Sequence, residues 1–279
     1  MGKKTIAKLI IEGIIEKKND TYNQKWILEQ IEKLIDSKKN AGLLLYIDSP
    51  GGGVYESDEV YEAVLKYKEE TERPVYAYFA SLAASGGYYI GCSADKIIAN
   101  RNTITGSIGV IAGRFVDLTE LMGKHGIKSE TIHAGRNKIM GDFTIPATEE
   151  QRRIMQSIAD ECYEQFTQIV SERRNLEIDK VKELADGRIY SAKQAKDAGL
   201  VDLVMNLESA RELIYEEVFG NKDYDSEIQK LEYKSKGGLL KKLVKDASFN
   251  MGEMQSLTEI ALKKTKLPFP AYYCDMFTS

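Results

Sequence analysis

The chain has 279 residues, with 39 lysines and arginines against 43 aspartates and glutamates, which gives a net charge of −4. Hydrophobic residues make up 43% and charged residues 29%, which is typical of a soluble globular protein. The length fits one compact domain with at most a small appendage. The mild acidity argues against a nucleic-acid partner, because nucleic-acid binders usually carry a basic stripe. Cys92, Cys162 and Cys274 are scattered without a CxxC pair, so we expect neither a structural zinc site nor a disulfide framework.

The first half of the chain alternates short apolar or β-branched runs with amphipathic segments. This pattern predicts strands over 6–11, 43–47, 75–79, 96–99 and 108–112, and helices over 23–37, 58–68 and the segment after Ser85. Strands separated by helices imply crossover connections, so we expect an α/β fold with a mostly parallel sheet. The uncharged stretch 74–94 reaches the length of a membrane span. Serines and glycines interrupt it, so we expect a buried strand, a turn and a helix there.

The second half is predicted to be more helical. Thr148 and Gln151 form a capping box that opens a helix running to about residue 174. A short helix is predicted between Ser191 and Gly199, and a strand over 201–204 and a helix over 207–219 follow. These elements complete a predicted domain over residues 1–220.

The composition changes after residue 220. Residues 221–238 are polar and charged, which predicts a linker or a mobile segment. Two short amphipathic stretches, 239–244 and 257–262, follow, so we assign 221–279 to a linker and a C-terminal tail. The apolar, proline-containing end at 269–275 is expected to be extended. It either occupies a substrate groove of this chain or of a neighbour, or is simply a frayed terminus.

The run 48–53 (Asp-Ser-Pro-Gly-Gly-Gly) directly follows the predicted buried strand 43–47. Consecutive glycines at a strand end present bare backbone N–H groups at the carboxyl edge of the sheet, where open α/β sheets bind ligands. Such groups can cradle a phosphate or stabilise an oxyanion. No Gly-Lys-Ser or Gly-Lys-Thr follows, which excludes a Walker-type loop. Taken alone, the run fits a tight turn better than a binding site.

The run 83–89 (Ala-Ala-Ser-Gly-Gly-Tyr-Tyr) follows the strand predicted at 75–79. A serine at a sharp strand-to-helix turn would expose the Oγ of Ser85 beside the N–H of Gly86. This follows the logic of a nucleophile elbow, although the GxSxG pattern is absent. Close helix packing through small residues is the plainer interpretation of this run alone. A third run, 105–110 (Thr-Gly-Ser-Ile-Gly-Val), predicts a turn leading into a strand.

A serine nucleophile needs a base, and few candidates exist. The chain has only two histidines: His125 at a predicted exposed helix end, and His133 at the end of a predicted strand, which is the better of the two. A lysine is the other option, because Ser–Lys pairs occur in hydrolases. Any single lysine is ordinarily a solvated surface charge, so the residues alone leave the base open.

Four runs in order, 48–53, 84–89, 105–109 and 135–138 (Gly-Arg-Asn-Lys), together resemble the bacterial signal peptide peptidase A family. The resemblance covers about residues 5–220. It implies a fold similar to ClpP and crotonase, a β-α superhelix with a mostly parallel sheet and a helical second half. It further implies a serine–lysine endopeptidase that degrades apolar peptides, in particular cleaved signal peptides, with no cofactor and no metal.

The resemblance assigns roles residue by residue. Ser85 matches the nucleophile, Lys138 matches the general base, and Ser107 matches the hydroxyl that orients the lysine. The backbone N–H groups of Gly52 and Gly86 match the oxyanion hole. Neither histidine has a role in this scheme, which agrees with their scarcity.

The resemblance also implies partners and a location. Single-domain members form homo-oligomeric rings in which the lysine reaches the serine of a neighbouring subunit. Members usually carry an N-terminal anchor in the cytoplasmic membrane and face outward. The sequence as given shows no such anchor, so we expect the chain as given to be soluble, either as an ectodomain cut from a longer protein or as a soluble member.

Two other functions compete with the peptidase. A crotonase-like acyl-CoA enzyme would use Gly52 to stabilise a thioester oxyanion and would need neither Ser85 nor Lys138. A catalytically silent oligomeric scaffold on membranes would keep the fold without turnover. A serine-directed fluorophosphonate probe separates the first alternative from a peptidase, because a crotonase has no nucleophilic serine. The presence of both Ser85 and Lys138 counts against the silent scaffold.

Overall fold

The computed structural model describes residues 3–220 and 228–235, together with the backbone of residues 271–273. The strands are Thr5–Glu12 (β1), Asn40–Ser49 (β2), Gly51–Gly53 (β3), Val75–Ala84 (β4), Lys96–Ala99 (β5), Ile104–Gly106 (β6), Ile189–Ser191 (β7), Leu203–Val204 (β8), Gln229–Leu231 (β9) and Ala271–Tyr273 (β10). The helices are Gln24–Asp36 (α1), Val54–Thr71 (α2), Gly86–Gly91 (α3), Thr119–Lys124 (α4), Glu149–Arg174 (α5), Ile178–Leu184 (α6), Ala192–Asp197 (α7) and Leu207–Phe219 (α8).

Eight of these strands form one sheet in the order β7-β6-β4-β2-β1-β9, with β5 beside β4 and β8 beside β5. Every pairing in this sheet is parallel except that of β6 with β7. The mostly parallel α/β sheet predicted from the sequence is therefore confirmed. The remaining two strands, β3 and β10, pair antiparallel with each other.

Both faces of the sheet are covered, which explains the continuous apolar run of β2. Alternate β2 side chains such as Leu43 and Leu45 join one cluster with residues of α1, α2 and α5. Leu44 points to the opposite face, where it joins Tyr76 and Tyr78 of β4 and the buried side of α8. Burial on both faces fixes the register of the central strands, and with it the positions of the loops at their carboxyl ends.

The structure contains the helix starts that the sequence predicts, and a side chain caps each of the two described next. Asn23 accepts a hydrogen bond from the Trp26 N–H at the start of α1, and Thr148 forms the capping box with Gln151 that opens α5. α5 ends at Arg174, as the sequence predicts, and α8 has the predicted bounds 207–219. The stretch 74–94 forms β4, a turn and α3. Within the part of the chain that the structure describes, no helix has both the length and the apolar character that a membrane crossing requires.

Three predictions of secondary structure are wrong. The strand expected at 108–112 lies instead at Ile104–Gly106, because Gly106 and Ser107 take φ values of 84° and 52° and turn the chain away from the sheet. The strand predicted to end at His133 is absent, and this residue lies in an exposed loop. Within the segment 221–238, expected to be a linker, residues 229–231 instead pair with β1 as an edge strand.

The sequence also left the short glycine strand β3, helix α6 and strand β7 unpredicted. The division into 1–220 and 221–279 stays a prediction. The amphipathic stretches 239–244 and 257–262 lie outside the described residues.

Candidate active site

Strand β4 continues past the strand end predicted at residue 79 and contains a bulge before it ends at Ala84. Ile47 pairs with Phe79, but Ser49 pairs with Ala83, so β4 contains two extra residues between these pairs. The Asp48 carboxylate accepts hydrogen bonds from the Leu82 N–H at 3.1 Å and from the Ser81 hydroxyl at 2.5 Å. These bonds satisfy the irregular backbone and fix the last turn before the next helix.

Ser85 lies between the end of β4 and the start of α3, with φ 53° and ψ −117°. A positive φ is uncommon for a residue with a side chain and costs about 1–3 kcal/mol, so the surroundings must hold it. The Ser85 N–H donates to the Gly106 carbonyl at 2.8 Å, and the Ser85 carbonyl accepts from the Tyr89 N–H at 2.9 Å. Both peptide groups of the turn are therefore fixed.

The Ser85 hydroxyl is fully buried and has no hydrogen-bond partner among the described residues. Buried polar side chains nearly always have a partner, and an unsatisfied one destabilises the fold by about 1–3 kcal/mol. A strained backbone together with an unpaired hydroxyl is the combination expected where a serine is kept available for chemistry.

The glycine strand β3 lies next to this turn and is held from one side by the loop before α1. The Ile15 N–H donates to the Gly51 carbonyl at 2.9 Å, and the Gly53 N–H donates to the Ile15 carbonyl at 2.8 Å. Because backbone groups alternate along a strand, the N–H of Gly52 points to the opposite side. A Cβ on Gly52 would lie 2.5 Å from the Ile15 carbonyl carbon, so only glycine fits this approach.

Gly86 lies directly against β3. A Cβ on Gly86 would lie 3.2 Å from the Gly52 nitrogen and would overlap the Ser57 hydroxyl. That hydroxyl is buried and donates to the Gly53 carbonyl at 2.8 Å. The structure thus brings together Ser85 and the two glycines that the sequence proposed as oxyanion donors.

The strand β10 lies along the other side of β3. Its pairing places Tyr272 opposite Gly52 in an antiparallel ladder. The prediction of an extended end for the chain is confirmed for residues 271–273. Their backbone occupies the edge toward which the Gly52 N–H points.

Ser107 lies beside Ser85 because the preceding residues are paired. Ala84 of β4 is opposite Gly106 of β6, so Ser85 and Ser107 each follow the end of a neighbouring strand. Ser107 is buried, and its N–H donates to the Arg188 carbonyl at 2.7 Å.

Lys138 is not part of this cluster within one copy of the chain. It is exposed, and it lies in a turn that α5 holds, because Arg136 and Asn137 both contact the Glu150 carboxylate. The surrounding segment, residues 113–147, exposes large apolar side chains. They are Val116, Leu121, Ile127, Ile132 and Phe143, each more than half exposed.

The other candidate nucleophiles and bases do not contact the Ser85 hydroxyl. His125 and His133 are exposed, so neither serves Ser85 as a base within one copy of the chain. Burial raises the pKa of the Cys92 thiol to about 12, so this neighbour of the site stays protonated near neutral pH. Among the residues that the structure describes, no group of three or more His, Cys, Asp or Glu side chains could hold a metal ion.

The parallel α/β sheet, with a serine at a strained turn beside a glycine strand, places this protein in the class of ClpP-like folds. The fold is similar to that of a ClpP1 variant from Listeria monocytogenes, with a TM-score of 0.50, 17% identity, and coverage of 72% of this chain and 92% of that one. The sequence model of the Clp protease family matches residues 3–111. These comparisons confirm the predicted fold class.

The sequence model of peptidase family S49 matches residues 67–218, and the chain belongs to this family. A putative signal peptide peptidase SppA of Enterococcus faecium is 38% identical over 77% of this chain and 64% of its own length. A putative protease of Synechocystis is 39% identical over 75% of this chain and 73% of its own length. The chain thus spans roughly two thirds to three quarters of these relatives, and the family resemblance inferred from the four sequence runs is confirmed.

Proposed function

We propose that the chain is a serine endopeptidase in which Ser85 is the nucleophile. The observation that carries this proposal is the buried, unpaired Ser85 hydroxyl, held at a positive φ beside Gly52 and Gly86. Membership of a peptidase family supports the same reaction. An attack by the Oγ on a peptide carbonyl would form a tetrahedral intermediate whose oxyanion lies between the two glycine N–H groups.

Lys138 is the proposed base. Its neutral Nζ takes the Ser85 proton as the Oγ attacks, and then returns that proton to the leaving amine as the C–N bond breaks. Water, deprotonated by the same Nζ, attacks the acyl-enzyme ester. The carboxylic acid leaves, and Ser85 regains its proton. Each oxyanion donor, Gly52 and Gly86, contributes roughly 3–4 kcal/mol to transition-state stabilisation in such a scheme.

The lysine is proposed to come from a second copy of the chain. Within one copy Lys138 is exposed, and Ser85 is buried without a partner. The exposed apolar side chains around Lys138, such as Ile132 and Phe143, supply a surface that a second copy would cover. Burial there would favour the neutral lysine that the mechanism needs, and Ser107 would orient its Nζ. A closed ring of copies satisfies every such contact.

The proposed substrate is an extended apolar peptide, of which a cleaved signal peptide is the expected case. A peptide that takes the place of β10 at the edge of β3 would place a carbonyl at the Gly52 N–H. The antiparallel pairing of β10 with β3 supports this mode of binding. The name of the Enterococcus relative points to signal peptides as substrates of that protein, and the same class is proposed for this chain. Such substrates arise at the cytoplasmic membrane, which is therefore the proposed place of action.

The competing functions are less well supported. A crotonase-like acyl-CoA enzyme gives no role to the strained turn at Ser85. A silent scaffold gives no reason to keep an unpaired hydroxyl buried at a cost in stability.

Two variants test the proposal, and a mixture of them tests the arrangement. Ser85→Ala and Lys138→Ala should each abolish cleavage of casein or of a signal-peptide substrate while the chain still folds. Co-refolding the two inactive chains in equal amounts should restore roughly a quarter of the wild-type rate if the dyad is shared between copies. Full cleavage by Lys138→Ala alone would refute the lysine as base. A mixture that stays inactive would refute sharing between copies.

A further inference from the structure

The geometry of β3 depends on a buried serine that the catalytic scheme does not use. Ser49 ends β2 and is fully buried. Its hydroxyl donates to the Gly13 carbonyl at 2.6 Å and accepts from the Gly51 N–H at 3.1 Å. One side chain therefore links the loop before α1 to the first residue of the glycine strand.

This link is part of a clamp around Gly52. Three backbone hydrogen bonds complete it: Gly13 N–H to the Asp48 carbonyl, Ile15 N–H to the Gly51 carbonyl, and Gly53 N–H to the Ile15 carbonyl. The Gly51 carbonyl and the Gly52 N–H belong to the same peptide unit, and this carbonyl accepts a hydrogen bond from the Ile15 N–H. The direction of the Gly52 N–H therefore depends on how Gly51 is bonded. The Ser49 hydroxyl contributes because it accepts the N–H of Gly51.

Ser49 also contacts the second half of the candidate oxyanion hole. A Cβ on Gly87 would lie 3.1 Å from the Ser49 carbonyl oxygen and 3.4 Å from the Ser49 Cβ. The turn that carries Ser85 and Gly86 is thus packed against the same residue whose hydroxyl holds Gly51. Ser49 borders both segments that supply an N–H donor.

We propose that Ser49 is a positioning residue that sets the Gly52 N–H relative to the Gly86 N–H. This inference rests on the proposed peptidase function. Ser49 acts through Gly51 and Gly87 and does not contact the substrate. Its hydroxyl matters most when charge develops on the oxyanion, because misplacing a catalytic group by about 1 Å costs up to 100-fold in rate.

The test compares Ser49→Ala with the wild-type chain and with Ser93→Ala. Ser93 is also fully buried, and its hydroxyl makes one bond to the Ile90 carbonyl, so it controls for the loss of a buried serine hydroxyl. Cleavage kinetics are measured on a peptide substrate. Inhibition is measured with a peptide aldehyde, which forms a tetrahedral adduct with a serine nucleophile, and with the matching peptide alcohol, which cannot.

Ser49→Ala should lower kcat about 10- to 100-fold with KM changed less than about two-fold, and should weaken aldehyde inhibition by a similar factor. Alcohol inhibition should not change, and Ser93→Ala should keep the wild-type kcat. If the alanine variant does not fold, Ser49→Cys replaces it, because a thiol of similar size is a weak donor and acceptor. The same losses are expected from that variant.

Three results would overturn the role of Ser49. The first is a kcat within two-fold of wild type in a folded variant, and the second is equal weakening by aldehyde and alcohol, which would indicate general damage to the groove. The third is an equal loss in Ser93→Ala. A wild-type chain that neither cleaves the peptide nor binds the aldehyde would instead refute the proposed function, and the role of Ser49 with it.

Discussion

Gly52 is the position at which a single methyl group should do the most damage to the site. A Cβ there would overlap the Ile15 carbonyl oxygen and lie 2.5 and 2.7 Å from the Ile15 carbonyl carbon and nitrogen. These atoms belong to a backbone that is itself buried and bonded, so no side chain can move to relieve the clash. Gly52→Ala must therefore separate β3 from the loop before α1.

That separation has two consequences of different size. It breaks the bonds of Ile15 to Gly51 and Gly53, and each net backbone bond is worth about 1 kcal/mol, so the free energy of unfolding should fall by about 2 kcal/mol. It also moves an oxyanion donor, whose loss costs about 100- to 1,000-fold in kcat. In free energy that loss is about 2.7–4 kcal/mol, so the barrier to catalysis should rise by more than the stability falls.

The assay measures urea unfolding and peptide cleavage on the same preparations, with Gly123→Ala as the matched control. A Cβ on Gly123 meets nothing within 4 Å in helix α4, so that variant should be neutral or slightly more stable. Wild-type turnover in a folded Gly52→Ala protein would refute the assignment of Gly52 as a donor. An unfolding free energy equal to that of wild type would refute the clamp by Ile15.

Two further predictions concern the tail and the stability of the fold. Truncation after Lys266 removes β10 from the edge of β3. The rate of peptide cleavage should rise, because the proposed substrate pairs with the same edge. An unchanged rate would refute competition between the tail and the substrate. Arg174→Met leaves the Asp202 carboxylate without the bidentate partner that it has at 2.6 and 3.0 Å. The free energy of unfolding in urea should fall by about 2 kcal/mol, less than for a fully buried pair because the Asp202 side chain is 34% exposed. Lys193→Ala, which removes an exposed ion pair with Asp197, is its control, and an equal effect of both changes would refute the importance of burial.

Local signals in the sequence account for most of the fold. The capping box at Thr148 and the cap at Asn23 predict the starts of α5 and α1, because a side chain that satisfies a free N–H acts within three residues of itself. The apolar run 43–47 predicts a strand buried on both faces. The strand at 108–112 fails for a physical reason: β-branched residues favour extended backbone, but the left-handed Ser107 turns them off the sheet.

The candidate site could be predicted only in part. The glycine runs identify Gly52 and Gly86, and the order of the four runs identifies Ser85 and Lys138 through the family resemblance. The clamp of Gly13, Ile15 and Ser49 was not predicted, because its partners are about 36 residues apart and carry no local signature. The turn at Ser85, with its positive φ, is held by the bond of the Ser85 N–H to the Gly106 carbonyl of a neighbouring strand, a contact that no local pattern encodes.

The most direct test of the central proposal is to find where a fluorophosphonate probe reacts. The wild-type chain, treated with the probe and digested, should carry one adduct, on the peptide that contains Ser85. Ser85→Ala should carry none, and its melting temperature should equal or exceed that of wild type, because the substitution removes a buried hydroxyl that has no hydrogen-bond partner within the described chain. Absence of an adduct on the folded wild-type protein, or an adduct that persists in Ser85→Ala, would contradict the assignment of Ser85 as the nucleophile.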